Sequence, residues 1–214
     1  VKPIADIVIL GDLEYNIEKV SEGVKLLLKD KKEGLKYFET LDNVLSNVIN
    51  TKGMLNLRNY DIRQKFPVSH FITPFSEFKN RRLIEIGRGC IRRCAFCVMG
   101  CTKKPVKFVP PNIIADFLKN EKSSIGIISA TITDYPWLDE LLDILEKYKI
   151  KFSVSSMRAD RITDRLLKLL KRSGQKTFTI APEGISQRIR NIILKDISVD
   201  ELIKALEIGR NNDF

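Results

Sequence analysis

The stretch that decides the reading is LIEIGRGCIRRCAFCVMGCTKKPVKF, residues 83–108. It opens as a short apolar run, Leu83–Ile86, that reads as a buried strand, and passes through Gly87 and Gly89 into a loop carrying Cys90, Cys94, Cys97 and Cys101. These four are all the cysteines of the chain. A disulfide framework ties distant segments together, whereas this spacing would close only tiny rings, so the group reads as reduced thiols gathered for a metal. The C-x-x-x-C-x-x-C spacing of the first three lets a short loop wrap one face of an iron–sulfur cubane. A 4Fe-4S cluster ordinarily takes four cysteines, and three leave one iron open to an exogenous ligand. Gly87 and Gly89 allow the backbone to approach the metal closely, and Arg88, Arg92 and Arg93 favour thiolate over thiol. Zinc sites usually draw on two separated cysteine pairs, and no second pair exists here. Cys101 leaves the ligand count open. As a fourth ligand it would close a fully ligated, electron-carrying cluster; otherwise it is a small side chain after the motif.

Downstream of Leu83, strand and helix alternate four times. The apolar runs predict strands at Leu83–Ile86, Ile125–Ser129, Lys151–Ser155 and Thr177–Ile180. Helical periodicity predicts helices at Asn112–Asn120, Leu138–Tyr148, Thr163–Lys171 and Ser186–Ile193, with another at Val199–Ile208. Such alternation argues for an α/β fold with a parallel sheet and right-handed crossovers. In parallel sheets the loops at the C-terminal strand ends carry function, which is where the cysteine loop falls. Four units do not close a barrel, so the region is either an incomplete barrel or a small open sheet.

Upstream, IADIVIL (Ile4–Leu10) reads as a buried strand running into Gly11-Asp12. Helical patterns follow over Asn16–Leu28 and Glu33–Ile49, the second with Leu35, Phe38, Leu41, Leu45 and Val48 at helix spacing. One strand and two helices fall short of an α/β domain, because a parallel strand needs neighbours on its edges. Residues 1–50 therefore read as the C-terminal remnant of a larger domain, 51–80 as a linker, and 81–214 as a truncated core. The missing initial Met fits a fragment. His70, the single histidine, lies in the linker away from any metal pattern.

Composition sets the wider frame. The 214 residues are 43% hydrophobic and 30% charged, as in a soluble globular protein. No apolar run reaches the ~20 residues of a membrane span, and the N-terminus lacks a signal peptide's charged region and cleavage site. A cytoplasmic location is the expectation. The formal charge of +10 points to an anionic partner, RNA or a phosphorylated cofactor, or else to a Lys-rich solvated surface.

The cysteine loop, with Phe96 just before the third cysteine, resembles the signature of the radical S-adenosylmethionine superfamily. The stretches SHFITPFSEFKNRRLIEIGRGC, ISATITDYP, SVSSMRAD and TIAPEGISQRIRNIILKDIS are similar to one subgroup, which carries an N-terminal cobalamin-binding-type Rossmann domain. The resemblance covers about residues 69–214, and IADIVILGDLE resembles the last strand and turn of that Rossmann domain. It implies a partial (β/α) barrel of about four βα units behind a Rossmann-like tail. By the same resemblance, Cys90, Cys94 and Cys97 ligate a 4Fe-4S cluster whose open iron binds S-adenosylmethionine. Electron transfer would split that molecule into methionine and a 5′-deoxyadenosyl radical.

Further roles follow from the resemblance. Phe96, Ser129, Thr131, Ser155, Arg158 and Glu183 are implied in cofactor binding. Ser129 and Thr131 would meet the methionine amino group, Arg158 its carboxylate, and Glu183 the ribose hydroxyls. The residues themselves also permit turn chemistry for Ser129 and Thr131, an ion pair of Arg158 with Asp160 or Asp164, and helix capping by Glu183. Arg188 and Arg190 read as solvent-facing, with the cofactor carboxylate as the alternative, and Lys103, Lys104 and Lys107 as a solvated basic loop, with an anionic substrate as the alternative. The resemblance further implies a reductant such as ferredoxin or flavodoxin, and cobalamin in the full-length protein, where radical methyl transfer would be the outcome. Rival readings are an RNA methylthiotransferase-like enzyme, suited by the basic charge, a non-catalytic iron–sulfur electron carrier, and an inactive remnant.

Overall fold

A computed structural model describes residues 5–46, 60–103 and 105–214. The chain divides into two compact units, Val1–Asp61 and Ile62–Phe214.

In the first unit, β1 (Ile7–Ile9) leads through a 3-10 turn at Leu13–Tyr15 into α1 (Ile17–Lys29) and α2 (Lys31–Phe38). Asp30 separates the helices and caps the second, its Oδ1 accepting from the Glu33 N–H at 2.9 Å. The predicted helix over Glu33–Ile49 stops at Phe38. The chain then turns and forms β2 (Val44–Ser46), antiparallel to β1 with Ile9 opposite Val44. Asn43 causes the break. It is fully buried; its side chain donates to Leu10 O at 3.0 Å and accepts from Asn16 Nδ2 at 2.7 Å. A buried asparagine must satisfy both ends of its amide, and here Leu10 O and Asn16 do so from a distant segment. Leu41 and Leu45 keep helical spacing, but Leu45 lies in the strand, and Val48 and Ile49 lie outside the described residues. Val20, Phe38 and Val44 form the small core, with Ile7, Ile9, Leu27 and Leu41 packed against it.

The second unit is built on a parallel sheet ordered β3-β6-β7: β3 is Arg81–Glu85, β6 Ser124–Ile128 and β7 Phe152–Val154. Leu83 pairs with Gly126, and Gly126 with Ser153. Between β3 and β6 lie β4 (Gly87–Arg88), α3 (Met99–Thr102), β5 (Lys107–Phe108) and α4 (Pro111–Leu118). The helix α5 (Leu138–Lys147) joins β6 to β7, and α6 (Asp164–Arg172), α7 (Gln187–Ile192) and α8 (Val199–Asn211) follow. Ile84, Ile125, Ile127 and Phe152 from the sheet, with Ile114, Leu118, Leu141, Leu145, Leu166 and Leu170 from the helices, make a buried core. The apolar stripes of α5 and α6 are what a sheet-covering helix requires.

The stretch read as a linker lends a short extended piece to the sheet, where residues 67–69 cover the outer edge of β3. Val68 bridges Ile84 antiparallel, Glu85 N–H donates to Pro67 O at 3.0 Å, and Ser69 N–H to Leu83 O at 2.9 Å. An uncovered edge strand would present unpaired backbone groups. The predicted strand Thr177–Ile180 shrinks to a single parallel bridge, Met157 to Ile180, supported by Met157 N–H donating to Thr179 O at 2.9 Å. Gln175 explains the reduction. Its Oε1 accepts the Val154 N–H at 3.4 Å, so a side chain meets the backbone donor that a fourth strand would have engaged. Its Nε2 donates to Thr177 O at 2.9 Å. Phe178 turns away to stack edge-on against Phe214, with centroids 5.4 Å apart. The architecture is mixed α/β with an open parallel sheet among the described residues.

Candidate metal and cofactor site

The loop after β3 is held from both ends. β4 and β5 form a two-residue antiparallel ribbon, Gly87 opposite Phe108 and Arg88 opposite Lys107, which closes the base of the cysteine loop. Ile86 N–H donates to Ile128 O at 3.0 Å, so the sheet registers the start of the loop. Gly89 has φ +91°, and a Cβ there would stand 2.3 Å from Lys103 O, so only glycine allows the two arms to cross. Within the loop, Arg92 N–H points to Cys90 Sγ at 3.4 Å, and Cys97 N–H donates to Cys94 O at 3.0 Å. At the far side, Ala95 N–H donates to Ile193 O at 2.8 Å, tying the loop to the end of α7.

Cys94 is buried, and Cys90 and Cys97 are half-buried. Their loop lines a cavity of about 240 Å³ whose other walls come from the C-terminal ends of β6 and β7 and from the segment before α7. The loop brings three thiols to this cavity, the ligand type that holds an iron–sulfur cluster. The side chain of Cys101 lies outside the described residues, as does Lys104.

Thr131, Arg158, Glu183 and Phe96 line this cavity together with the three cysteines. Phe96 is 54% exposed, and the Lys195 ammonium lies 6.0 Å from its ring centroid. Glu183 is exposed and adopts a left-handed backbone, φ +62°. Ser129 is half-buried and is not among the lining residues; its hydroxyl sits over Gly87, 2.8 Å from where a Cβ would be. Ser155 is exposed outside the lining, and its neighbour Ser156 takes the place on the wall. Successive residues leaving a strand point to opposite sides, so a one-residue offset decides which serine reaches the site.

The arginines behave differently from their appearance in sequence. Arg158 is 5% exposed; its guanidinium forks onto Asp160 at 2.9 and 3.2 Å and donates to Asp196 O at 2.8 Å. Arg190, expected in solvent, is fully buried. It donates to Ile197 O at 2.7 Å, Gly184 O at 2.9 Å, Ile185 O at 2.7 Å and Gln187 Oε1 at 2.9 Å. Its five-donor fork gathers carbonyls of the turn before α7 and of the α7–α8 connection, a geometric task that a lysine cannot share. Arg188 is exposed, as expected.

Sequence reasoning missed Asp134 and Lys195, whereas Ser156 stands next to Ser155 in the stretch it had singled out after the third strand. Asp134 ends a 3-10 turn, Ile132–Asp134, after β6, and both its oxygens accept from Arg92, at 2.5 and 3.0 Å. Hydrogen bonding to Asp134 is the main reason the Arg92 guanidinium is held above its usual range, against the opposing effect of burial. Nothing local marks Asp134 or Lys195 as site residues; only the fold brings them to the loop.

No helix among the described residues is long and apolar enough to cross a membrane. Comparison with known proteins adds the family. Residues 84–214 match the model of the Radical SAM superfamily. Over 133 residues, 60% of this chain, the sequence is 35% identical to the uncharacterized protein MJ0966 of Methanocaldococcus jannaschii. The matched stretch spans 29% of that relative's length. The family match begins inside β3, so it gives no support to the cobalamin reading of the N-terminal unit. With the match covering more than half of the chain, from β3 through the cysteine loop to α8, the protein belongs to the Radical SAM superfamily.

Proposed function

We propose that Cys90, Cys94 and Cys97 hold a 4Fe-4S cluster and that the chain binds S-adenosylmethionine in the adjoining cavity for reductive cleavage to a 5′-deoxyadenosyl radical. The observation that carries this reading is the convergence of the three thiols with Thr131, Ser156, Arg158 and Glu183 on one cavity at the C-terminal end of a parallel sheet. Held by Cys90, Cys94 and Cys97, such a cluster would supply the electron for carbon–sulfur cleavage, drawn from a low-potential protein reductant.

The chain's own residues do the rest. Thr131 offers a hydroxyl to an ammonium donor and Glu183 a carboxylate to ribose hydroxyls. Phe96 presents a ring face at the cavity wall. Arg158 is engaged by Asp160, so its role in this reading is to fix the wall, with any contact to a carboxylate made by donors left over from that fork. A partial barrel remains the architecture this reading expects, with further strands completing the wall.

The test is an EPR spectrum of the anaerobically reconstituted, dithionite-reduced protein with and without S-adenosylmethionine, followed by product analysis for 5′-deoxyadenosine. A cluster signal that changes on addition supports an open iron. A signal indifferent to the addition refutes the reading and leaves a closed, electron-carrying cluster.

A further inference from the structure

One of the three residues between the first two cysteines is tied into a chain of four alternating charges. Arg92 grips Asp134 with two hydrogen bonds and stands 3.8 Å from Asp160, which in turn is forked by Arg158. The Asp134 side chain is 4% exposed, Asp160 11%, Arg158 6% and Arg92 23%. These residues come from the loops after β3, β6 and β7, and Arg158 extends the link to Asp196 O. Two cations and two carboxylates cancel formally, in a site shielded from the solvent that would otherwise mask them. The same Arg92 directs its backbone N–H at Cys90 Sγ.

We propose that Asp134 is a positioning residue for the cluster: through Arg92 it fixes the cysteine loop and sets the reduction potential of the iron–sulfur centre held there. The proposal rests on the reading that the three cysteines carry a cluster. The potential of such a centre follows its net local charge and the hydrogen bonds to its sulfurs. With Asp134 ionised, the Arg92 cation is compensated and does not favour the extra electron of the reduced state. Neutralising the carboxylate leaves that cation exposed to the cluster and makes reduction easier; neutralising the cation leaves a buried carboxylate and makes reduction harder. A merely structural pair would have no reason to give opposite signs.

The experiment uses the full chain, reconstituted anaerobically, with iron and sulfide quantified before an EPR-monitored redox titration at pH 8. Asp134→Asn keeps the shape and a hydrogen bond and should raise the potential. At a fixed potential, the expected change in the oxidised-to-reduced ratio is about tenfold, or about 59 mV for a one-electron couple. Arg92→Gln should shift it the opposite way, and the double variant, with both charges gone, should return close to the wild type. Asp134→Glu preserves the charge and should restore both the iron content and the wild-type potential if Asp134→Asn holds iron poorly. Shifts of one sign in both single variants, no shift in either at full iron content, or failure of Asp134→Glu to restore the wild-type behaviour would overturn the proposal. A wild-type chain that takes up no iron under these conditions overturns the cluster reading itself, and the proposal with it.

Discussion

Replacing Arg190 by Met tests whether a buried cation without a carboxylate partner holds the far wall of the site. The side chain is fully buried and supplies every one of its four hydrogen bonds to Ile197 O, Gly184 O, Ile185 O and Gln187 Oε1. Met occupies much of the same volume, so the change removes donors more than packing. The buried Ile197 carbonyl loses its donor at a cost of about 1–3 kcal/mol, the partly exposed Gly184 and Ile185 carbonyls lose less because water can replace the donor, and relief of the guanidinium's own desolvation offsets part of the sum. We expect a net loss of about 2 kcal/mol. With a urea slope of about 2 kcal/mol/M, the unfolding midpoint should fall by about 1 M. Arg190→Lys keeps the charge but cannot reach the separated acceptors together, and should lose roughly half as much. Hydrogen exchange should also quicken at the Ala95 amide, because its acceptor Ile193 O ends the helix that Arg190 anchors. A midpoint shift below about 0.5 M in Arg190→Met, or unchanged exchange at Ala95, would refute the anchoring argument.

Three further outcomes are expected. Cys101→Ala should retain the iron and sulfide of the wild type after reconstitution, whereas a four-cysteine cluster would lose iron, as a colorimetric assay would show. Tyr135, whose hydroxyl donates to Val109 O at 2.6 Å, has its phenol held above the ordinary value, chiefly by burial. A phenol raised in the folded state contributes stability that is complete below its unfolded value near 10 and lost as pH rises beyond it. Tyr135→Phe should cost about 1 kcal/mol at neutral pH and flatten the alkaline fall of a urea-midpoint profile. Ser198 and Glu201 form a reciprocal cap on α8, and hydrogen bonding from the Ser198 backbone N–H is the main reason the Glu201 carboxyl is held below its usual range. That contribution is present above the unfolded value of about 4.3 and lost as pH falls through the folded one. Ser198→Ala should cost about 1 kcal/mol in thermal unfolding while keeping the backbone donor to Glu201, whereas Glu201→Gln should flatten the acid limb.

What the sequence made legible was whatever depended on local pattern. Three strands appeared within two residues of their predicted bounds, because each short run of Leu, Ile, Val or Phe stands between polar or glycine-containing stretches and helical patterns. The cysteine loop was legible because its C-x-x-x-C-x-x-C spacing is written in the chain itself. The failures come from polar side chains acting at a distance. Asn43 ends a helix by bonding to Leu10, thirty-three positions earlier. Gln175 fills a strand's place at Val154. Arg190 looked like a surface residue because charge signals solvent until carbonyls are shown to surround it. Among the candidate site residues, Thr131, Arg158 and Glu183 reached the cavity wall, while the choice between Ser155 and Ser156 hung on the exit angle of β7, which no pattern records.

The bond from Ala95 to Ile193 has a consequence for how the protein is made. The cysteine loop is completed by a segment that leaves the ribosome almost a hundred residues later. At about 5–20 residues per second, the thiols spend roughly 5–20 s without the wall that shields them. Iron delivered during that interval would meet an unshaped loop, and oxidants would meet open thiolates. On the reading that the three cysteines hold a cluster, its insertion is best timed after translation of α7, and a chain shortened ahead of residue 193 would keep the cysteines yet mature poorly.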